Sequence, residues 1–557
     1  MQTHAATTFL KEYKTTSTKL FFYACCYISL VLNIPFLSRF QDAIVSQEKY
    51  STIFLLSTPI FLLSLVVIVQ GLITFRWLLK PVLIFTIIVS SLIFYTTSTY
   101  GIVFDFGMVQ NTFETDTAEA LSYVNIYSVL FFSVFGLAPS LLIYFIKITP
   151  QSFLSNLASH LKLLAISFLC LITILGTYYS NYASVGRNNS ELINYITPYK
   201  MLDSTQRYIV RNFLYPPLDF KVLDPSPTIS NDKKHVMVLV LGETARSSNF
   251  SLNGYDKLTN PYTSKQNVIS FKDVTSCGTA TAVSVPCMFS NLNKSNYDKR
   301  IATSQQNAID LIKDAGADVL WISNNNGSCK GVCKRVESKQ VATDSNQPLC
   351  DGEYCYDEVL LKELTDKLNN LTHKTTLIVF HLLGSHGPTY YKRYPTERRL
   401  FTPDCPRSDI QYCTQEQLVN AYDNTIAYTD YVISEMIDSL TKTSNENNIE
   451  TTMLYISDHG ESLGENGVYL HGLPYAFAPE VQKHVPMIYW DSENSASIDK
   501  NCLQSISNTP ISHDNFFNTL LGTMSINSKV YNPSLDAFSK CKKQFFTHKN
   551  RNENYVR

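Results

Sequence analysis

The stretch HVMVLVLGE, residues 235–243, decides the fold of the second half of this chain. Its apolar run from 236 to 241 leaves no polar face, which is typical of a strand covered on both sides. The run stops abruptly at Gly242-Glu243. A strand of this kind predicts a parallel sheet with helices packed against both faces.

Four further runs share this character and are separated by amphipathic stretches such as QQNAIDLIKDAG. They are ADVLWISN (317–324), TTLIVFHLLG (375–384), TTMLYISDHG (451–460) and VPMIYW (485–490). Alternating strands and helices predict an α/β domain with a doubly wound, mostly parallel sheet. In such sheets the functional site forms beyond the carboxyl ends of the strands.

Acidic and imidazole side chains follow three of these strands. Glu243 ends the first strand, His386 follows the 375–384 run, and Asp458-His459 end the 451–460 run, with His471 twelve residues on. Each residue alone also fits a solvated strand end or a structural histidine. Two carboxylates and several imidazoles at one sheet edge predict a metal site suited to Zn²⁺ or Mn²⁺.

A candidate nucleophile lies in SCGTATAVSVPCMFS, residues 276–290. Thr279, Thr281 and Ser284 stand between Cys277 and Cys287, and a disulfide there would hold the loop still. A metal ion can activate a hydroxyl for attack. The same hydroxyls also fit helix caps, and spacing does not choose among the three.

The first 186 residues are very apolar and contain five uncharged windows. These windows are Leu20–Ser38, Tyr50–Phe75, Pro81–Phe104, Ala120–Ile146 and Leu163–Gly186. Each approaches or exceeds the ~20 residues that a helix needs to cross a bilayer. Buried core helices are the alternative, but five in so short a block favour an all-α transmembrane domain.

Charges between the windows predict an orientation. The basic flanks are Lys11, Lys14, Lys19, Arg76, Lys80, Lys147 and Lys162, and the acidic connection carries Asp105, Glu114, Asp116 and Glu119. By the positive-inside rule the N-terminus is cytoplasmic, and five crossings place everything after Gly186 outside. A cleaved signal peptide is the alternative for the first window, but no small-residue cleavage site follows it.

The predicted domains are therefore 1–186, a linker at 187–232, and a soluble catalytic domain at 233–557. The linker contains five prolines and a stretch that fits either a membrane-surface helix or an ordinary bridging helix. The chain carries 46 basic and 47 acidic residues, so its charge gives no indication of a nucleic-acid partner.

Ten of the 13 cysteines follow residue 270, and the other three lie in the membrane windows. Eight form the predicted close pairs Cys277–Cys287, Cys329–Cys333, Cys350–Cys355 and Cys405–Cys413. Cys502 and Cys541 remain, and their spacing leaves open whether they pair with each other. Zinc fingers are the alternative, but no C-x2-C pairs repeat. Close pairs in even number predict disulfides, and hence an oxidising compartment.

Four motifs in order carry a resemblance that spans nearly the whole chain. They are GETARSSNFSLNGY, SCGTATAVSVPCMFS, LGSHGPTYYKRYP and SDHGESLGENGVYLHGLPYAFAP. They resemble the motifs of lipid A phosphoethanolamine transferases, a family that includes the mobile colistin-resistance enzymes and belongs to the alkaline phosphatase and sulfatase superfamily.

The resemblance implies an activity and a location. Phosphoethanolamine would pass from phosphatidylethanolamine to lipid A through a covalent phosphothreonine intermediate at a zinc site, which confers polymyxin resistance. The enzyme would be a monomer in the bacterial inner membrane, surrounded by membrane lipids, with its catalytic domain in the periplasm.

The resemblance also implies the roles of the central residues. Thr281 is the nucleophile, and the zinc ligands are Glu243, Thr281, Asp458 and His459. His386 and His471 line the same site, where they bind substrate, assist the leaving group or hold a second zinc. Glu461 either orients a ligand or caps the next turn.

A second group of residues matches family positions near the donor head group. Lys330 and Asn326 are implied on one loop, and Asn111, Thr115 and Glu119 on the stretch NTFETDTAE. Glu119 would pair with the ethanolamine ammonium. An acidic outer loop without substrate contact is the alternative for this stretch.

Three other functions compete with this one. A phosphoglycerol transferase of the lipoteichoic-acid-synthase kind shares the five membrane helices and the threonine nucleophile, but the dense disulfides and the SCGTxTAxSVPC loop favour phosphoethanolamine transfer. A sulfatase needs a C-x-P-x-R motif, whereas Cys287 is followed by Met-Phe-Ser. A catalytically inactive, membrane-tethered sensor would be expected to lose ligands, yet each expected ligand is present.

Overall fold

The computed structural model describes residues 14–45, 51–74, 76–115, 117–325, 329–495 and 497–543. The chain divides into two compact units. The first comprises Met1–Phe113, Ala120–Pro216 and Gly464–Tyr469, and the second comprises Glu114–Glu119, Pro217–Leu463 and Leu470–Arg557. The domain boundaries at 186 and 232 stay predictions.

The N-terminal unit is built almost entirely of helices. The elements between residues 14 and 209 are β1 (Lys14–Thr15), α1 (Ser17–Leu30), α2 (Ile34–Val45), α3 (Thr52–Ile73), α4 (Leu79–Tyr100), α5 (Phe106–Glu114), α6 (Thr117–Ser122), α7 (Ile126–Phe132), α8 (Ala138–Phe145), β2 (Lys147–Ile148), α9 (Phe153–Asn188) and α10 (Tyr199–Ile209). A π-helical turn, Ser133–Leu137, joins α7 to α8.

Four helical spans in the described part of the chain are long and apolar enough to cross a membrane. They are Thr52–Ile73, Leu79–Tyr100, Ile126–Phe145 and Phe153–Tyr179. The first predicted window is instead the pair α1 and α2, bent by 53°. Five spans result only if this bent pair counts as one.

Pro35, which lacks a backbone N–H, lies at the start of α2 and favours a break there. Asn33 lies between α1 and α2, and its side-chain amide donates to the carbonyl oxygens of Ile28 and Thr197, each at 2.9 Å. Its carbonyl oxygen accepts from the Thr197 amide at 2.9 Å. The Asn33 side chain therefore supplies hydrogen-bond partners for backbone groups at the break between the two helices. The hydropathy of the sequence does not predict these bonds.

The fifth predicted window, Leu163–Gly186, begins too late. The helix begins at Phe153, where the Ser152 side chain accepts from the Ser155 amide, so Lys162 lies inside α9 rather than in a connection. The predicted window began at Leu163 because Lys162 interrupts the apolar run. The helical backbone breaks at Tyr178.

The second unit is an α/β domain. The strands from residue 228 onward are β3 (Thr228–Ile229), β4 (His235–Gly242), β5 (Ile269–Thr275), β6 (Asp318–Ser323), β7 (Glu337–Gln340), β8 (Thr375–His381), β9 (Glu450–Ser457), β10 (Ser462–Leu463), β11 (Tyr469–Leu470), β12 (His484–Asp491), β13 (Ile511–Ser512) and β14 (Ile526–Asn527). Its helices are α11 (Thr281–Met288), α12 (Lys299–Thr303), α13 (Ala308–Asp314), α14 (Val359–Leu368), α15 (Gln415–Asn447), α16 (Lys500–Ile506) and α17 (His513–Thr523).

Eight of these strands form one sheet in the order β13-β5-β12-β9-β4-β8-β6-β7. The pairs β9-β4, β4-β8, β8-β6 and β6-β7 are parallel, whereas β12 runs antiparallel to both of its neighbours. The predicted mostly parallel sheet is confirmed, and each of the five predicted strands is present. The strands β5, β7 and β13 were not predicted.

The central strand is fully covered. All eight residues of β4 are buried, and Leu239 and Leu241 pack into a core with Val379 and Leu454. Burial of each such side chain contributes about 1.5–3 kcal/mol relative to exposure. This packing fixes the register and therefore the position of each strand end.

The register aligns the functional ends. Leu241 lies opposite His381 on one side and Ile456 on the other, and Gly242 lies opposite Ser457. The residues that follow β4, β8 and β9 therefore emerge at the same edge of the sheet.

Candidate metal centre and active site

Three buried side chains converge at this edge. Ligand atoms of Glu243, Asp458 and His459 all lie within 4.8 Å of one another. Asp458 and His459 are fully inaccessible to solvent, and Glu243 is 1 % exposed. Oxygen and imidazole donors at this spacing match the donor set of a zinc site.

Asp458 is held through one oxygen and presents the other. Its Oδ1 accepts from the backbone amides of Thr244 at 3.1 Å and His459 at 2.7 Å. Its Oδ2 is buried and has no hydrogen-bond partner among the described residues. A buried carboxylate oxygen without a partner is costly, and a cation at this point would remove that cost.

His459 is oriented in a complementary way. Its Nδ1 lies 2.9 Å from the Gly460 carbonyl oxygen, to which it donates. Its Nε2 faces the cluster, 3.2 Å from Thr281 Oγ1, 3.4 Å from Glu243 Oε1 and 3.5 Å from Asp458 Oδ2. A carbonyl on one ring nitrogen is the usual device that leaves the other free to bind a metal.

Electrostatics support the same fit. Burial alone would lower the pKa of His459, but the Asp458 and Glu243 carboxylates outweigh it and raise that pKa to about 10. Burial, followed by the charge of Glu243, raises the pKa of Asp458. Two buried carboxylates therefore draw positive charge into the cluster, so the residues present fit a divalent cation.

Glu243 is held by residues from several elements. Thr244 Oγ1 donates to its Oε1 at 2.7 Å, Asn325 Nδ2 donates to its Oε2 at 2.8 Å, and His381 Nε2 lies 3.6 Å from Oε2. Gly384, at φ +54°, packs so closely that a Cβ atom would lie 2.8 Å from the Glu243 carbonyl oxygen. This position therefore requires glycine.

The three candidate hydroxyls occupy different environments. Thr279 Oγ1 donates to the Leu473 carbonyl at 2.6 Å, and Ser284 Oγ donates to the Asp458 carbonyl at 2.5 Å. Thr281 Oγ1 lies 3.0 and 3.1 Å from the two Glu243 carboxylate oxygens. Of the three, only Thr281 has its hydroxyl directed at the metal-capable cluster.

The loop that carries Thr281 is tied down on both sides. The Cys277–Cys287 disulfide brackets it, and Thr281 begins α11. His513 Nδ1 accepts from the Cys277 amide at 3.2 Å, while its Nε2 donates to the Ser457 carbonyl at 3.1 Å. His513 therefore links the loop to the end of β9, although sequence reasoning did not single it out.

The two outer histidines lie beside the cluster. The ring centroid of His471 is 4.4 Å from that of His459 and 5.4 Å from that of His386. Glu461, fully buried, places its two carboxylate oxygens 3.4 and 3.5 Å from His471 Nδ1. Its carboxylate therefore faces His471, as a residue that orients this imidazole would.

The residues predicted to bind the donor head group lie on two segments of the chain. Lys330 Nζ donates to the Glu114 carbonyl at 3.1 Å. Asn326 lies outside the described residues; its neighbour Asn325 contacts Glu243. Asn111 lies in α5, Thr115 follows it, and Glu119 lies in α6, with a side chain outside what the structure describes.

The structure joins the ten predicted cysteines as five disulfides. They are Cys277–Cys287, Cys329–Cys333, Cys350–Cys355, Cys405–Cys413 and Cys502–Cys541. Cys25, Cys26 and Cys170 are free thiols.

Replacing both Cys277 and Cys287 by serine should affect stability and activity together. Loss of this short cross-link is expected to cost about 2–3 kcal/mol of unfolding free energy, measurable by thermal unfolding. The enzymatic rate should also fall because the bracket no longer fixes Thr281. The same double change at Cys405 and Cys413, a pair of similar separation, should cost similar stability and leave the rate unchanged. Equal rate losses in both variants would contradict the proposal that the Cys277–Cys287 disulfide positions Thr281.

Comparison with known proteins gives a consistent result along the chain. Residues 62–213 match the family profile "Phosphoethanolamine transferase EptA/EptB", and residues 235–526 match the sulfatase profile. Phosphoethanolamine transferase EptA of Escherichia coli K12 is 41 % identical over 531 residues, which cover 93 % of this chain and 96 % of that protein. Phosphatidylethanolamine transferase Mcr-1 of Escherichia coli is 34 % identical over 515 residues, covering 89 % and 92 %.

A solved structure agrees with both profiles. The integral membrane protein lipooligosaccharide phosphoethanolamine transferase A of Neisseria meningitidis superposes with a TM-score of 0.90 at 34 % identity, covering 96 % of this chain and 100 % of that one. Fold, site geometry and sequence similarity together assign this chain to the phosphoethanolamine transferase EptA/EptB family, within the alkaline phosphatase and sulfatase superfamily.

Proposed function

We propose that this protein transfers phosphoethanolamine from phosphatidylethanolamine to lipid A, and that the transfer depends on zinc. The observation that carries the proposal is the Thr281 hydroxyl, 3.0–3.2 Å from Glu243 and His459 in a buried cluster fit for a metal. The names of the relatives supply the donor and the acceptor class. An inactive sensor would not need a hydroxyl in this position.

Four residues of this chain would hold the zinc: Glu243, Asp458, His459 and the Thr281 oxygen. Bound there, the ion would supply positive charge that favours the deprotonated form of the Thr281 hydroxyl and offsets the charge of the donor phosphate. The Asp458 Oδ2 atom, which has no hydrogen-bond partner within the described ranges, is the most direct support for this ligand set.

The first half-reaction forms a covalent intermediate. Thr281 Oγ1 lies 3.0 and 3.1 Å from the Glu243 carboxylate oxygens, and Glu243 would accept its proton as Oγ1 attacks the donor phosphorus. The bond from phosphorus to the diacylglycerol oxygen breaks, and that oxygen takes a proton. We assign this proton to His471 or His386, whose rings lie within 5.4 Å of each other beside the cluster.

The second half-reaction reverses the roles. A lipid A phosphate or hydroxyl oxygen attacks the phosphorus on Thr281, and the proton that it carries passes to the imidazole that protonated the diacylglycerol. The Thr281 oxygen leaves and regains its proton from Glu243. Because Thr281 opens α11, the bound phosphoryl group would lie at the N-terminal end of a helix, where backbone amides favour anions. The same residue thus serves as nucleophile and then as leaving group.

The location follows from the same proposal. The basic residues beside the spans predict a cytoplasmic N-terminus, and five disulfides suit a periplasmic domain. Both substrates are membrane lipids, so a tethered catalytic domain meets them at the outer leaflet. Added ethanolamine offsets the phosphate charge of lipid A, and cationic polymyxins would bind it less tightly.

Mass spectrometry of lipid A tests the proposal. Expression in a polymyxin-sensitive Gram-negative host should add phosphoethanolamine to lipid A, and an empty vector should not. Unmodified lipid A in cells that contain the folded protein would contradict the proposal. Addition of glycerol phosphate to a membrane acceptor would instead favour the phosphoglycerol transferase.

A further inference from the structure

The helical unit contains a cavity of about 900 Å³ far along the chain from the proposed catalytic residues. It is lined by Lys80, Pro81, Ile84, Tyr144, Phe145 and Lys147. Its volume lies within the ~300–1,000 Å³ typical of sites that bind small molecules. The lining combines two ammonium groups with aromatic and aliphatic walls.

One of these ammonium groups is fixed in position. Lys80 Nζ donates to the carbonyl oxygens of Tyr144 at 2.8 Å and Ile146 at 2.6 Å, at the C-terminal end of α8. These carbonyls belong to the last turn of a helix, where cations are favoured. An ammonium has three donors, so one remains for a ligand.

The second ammonium group has a like-charged neighbour. The short strands β1 and β2 are parallel, with Lys14 directly beside Lys147. Both lysines are exposed, whereas Thr15 on the opposite face is buried, so the two side chains share one face. In the part of the chain that the structure describes, neither lysine has an ion-pair partner.

Among the described residues, the neighbouring connections carry no acidic residue that offsets this charge, and Glu12 lies outside the described ranges. The segments 14–16, 74–80 and 146–152 contain lysine and arginine but neither aspartate nor glutamate. Like charges placed side by side repel one another. A bound anion would relieve this repulsion.

The surroundings distinguish a lipid from a free anion. Trp77, Tyr144 and Phe145 are 82 %, 63 % and 44 % exposed at this end of the bundle. Exposed aromatic rings beside lysines are typical of the level of lipid head groups. Basic pockets between transmembrane helices bind the head groups of anionic lipids.

We propose that the cavity beside Lys80 and Lys147 binds the phosphate head group of an anionic phospholipid, with Lys14 completing the site. The acyl chains would run along Ile84 and Phe145. This site is separate from the proposed transfer reaction, and its test measures lipid binding rather than catalysis.

The test uses the purified full-length protein in a neutral detergent. Native mass spectrometry measures retention of cardiolipin, phosphatidylglycerol and phosphatidylcholine, with inorganic phosphate as a competitor. We expect both anionic lipids to be retained over phosphatidylcholine, and phosphate to displace neither at equal concentration. Lys147→Gln should weaken anionic-lipid binding about fivefold, and the double change Lys14→Gln/Lys147→Gln about 25-fold.

Two controls keep the result specific. Lys19 is exposed in α1 and does not line the cavity, so Lys19→Gln should leave retention unchanged. Lys147→Arg keeps the charge and should keep binding. Equal retention of phosphatidylcholine, equal losses for Lys19→Gln and Lys147→Gln, loss of binding in Lys147→Arg, or displacement by free phosphate would each overturn the proposal.

Discussion

Thr281→Ala should lower phosphoethanolamine transfer by about 10³-fold or more, the scale seen when a covalent nucleophile is removed. Thr281 Oγ1 is the hydroxyl that contacts both Glu243 and His459. Without it neither half-reaction has an attacking or leaving oxygen at this position. Lipid A mass spectrometry and a donor-turnover assay with the purified protein both measure the effect.

Matched variants separate chemistry from structure. Thr281→Ser keeps a hydroxyl and should retain measurable transfer. Thr279→Val removes the 2.6 Å hydrogen bond to Leu473 from the same loop, costs about 1 kcal/mol of stability, and should leave transfer largely intact. Transfer that survives in a folded Thr281→Ala protein would reassign the nucleophile, and collapse in Thr279→Val would indicate a purely structural loop.

The sheet and the metal-capable cluster could be predicted from the sequence because both depend on local patterns. Continuous apolar runs predict buried parallel strands, and the residues that end them must meet at one edge. Glu243, Asp458 and His459 follow directly from that geometry. Spacing could not choose among Thr279, Thr281 and Ser284, because the choice depends on which hydroxyl the first turn of α11 directs at Glu243.

The residues that sequence reasoning missed act across the fold rather than along the chain. His513 contacts the Cys277 amide from a position 236 residues away, and no local pattern distinguishes it from a structural histidine. Asn325 could have been predicted from the sequence, since it follows the end of β6 at the same sheet edge. At the bend between α1 and α2, Asn33 bonds to Thr197, a contact 164 residues apart, whereas Pro35 at the start of α2 is a local signal for a break.

Asp458→Asn should abolish metal binding while leaving the fold intact. The asparagine carbonyl oxygen can still accept from the Thr244 and His459 amides, as Oδ1 does now. Its amide group would replace Oδ2, the oxygen left without a hydrogen bond in the described structure, and would present hydrogens to the cation. Elemental analysis of the full-length protein should show zinc falling from about one ion per chain to near zero, and transfer should be lost with it.

The stability of this variant tests the ligand set independently of activity. Zinc bound to the native state at 100 times its dissociation constant adds about 2.7 kcal/mol, so chelation should destabilise the parent protein and not the variant. Asp423, equally buried, instead accepts from Asn249 Nδ2 at 2.6 Å and pairs with Lys257 at 2.9 Å. Asp423→Asn should therefore lose about 1–3 kcal/mol and keep its zinc, whereas full zinc content in Asp458→Asn would exclude Asp458 as a ligand.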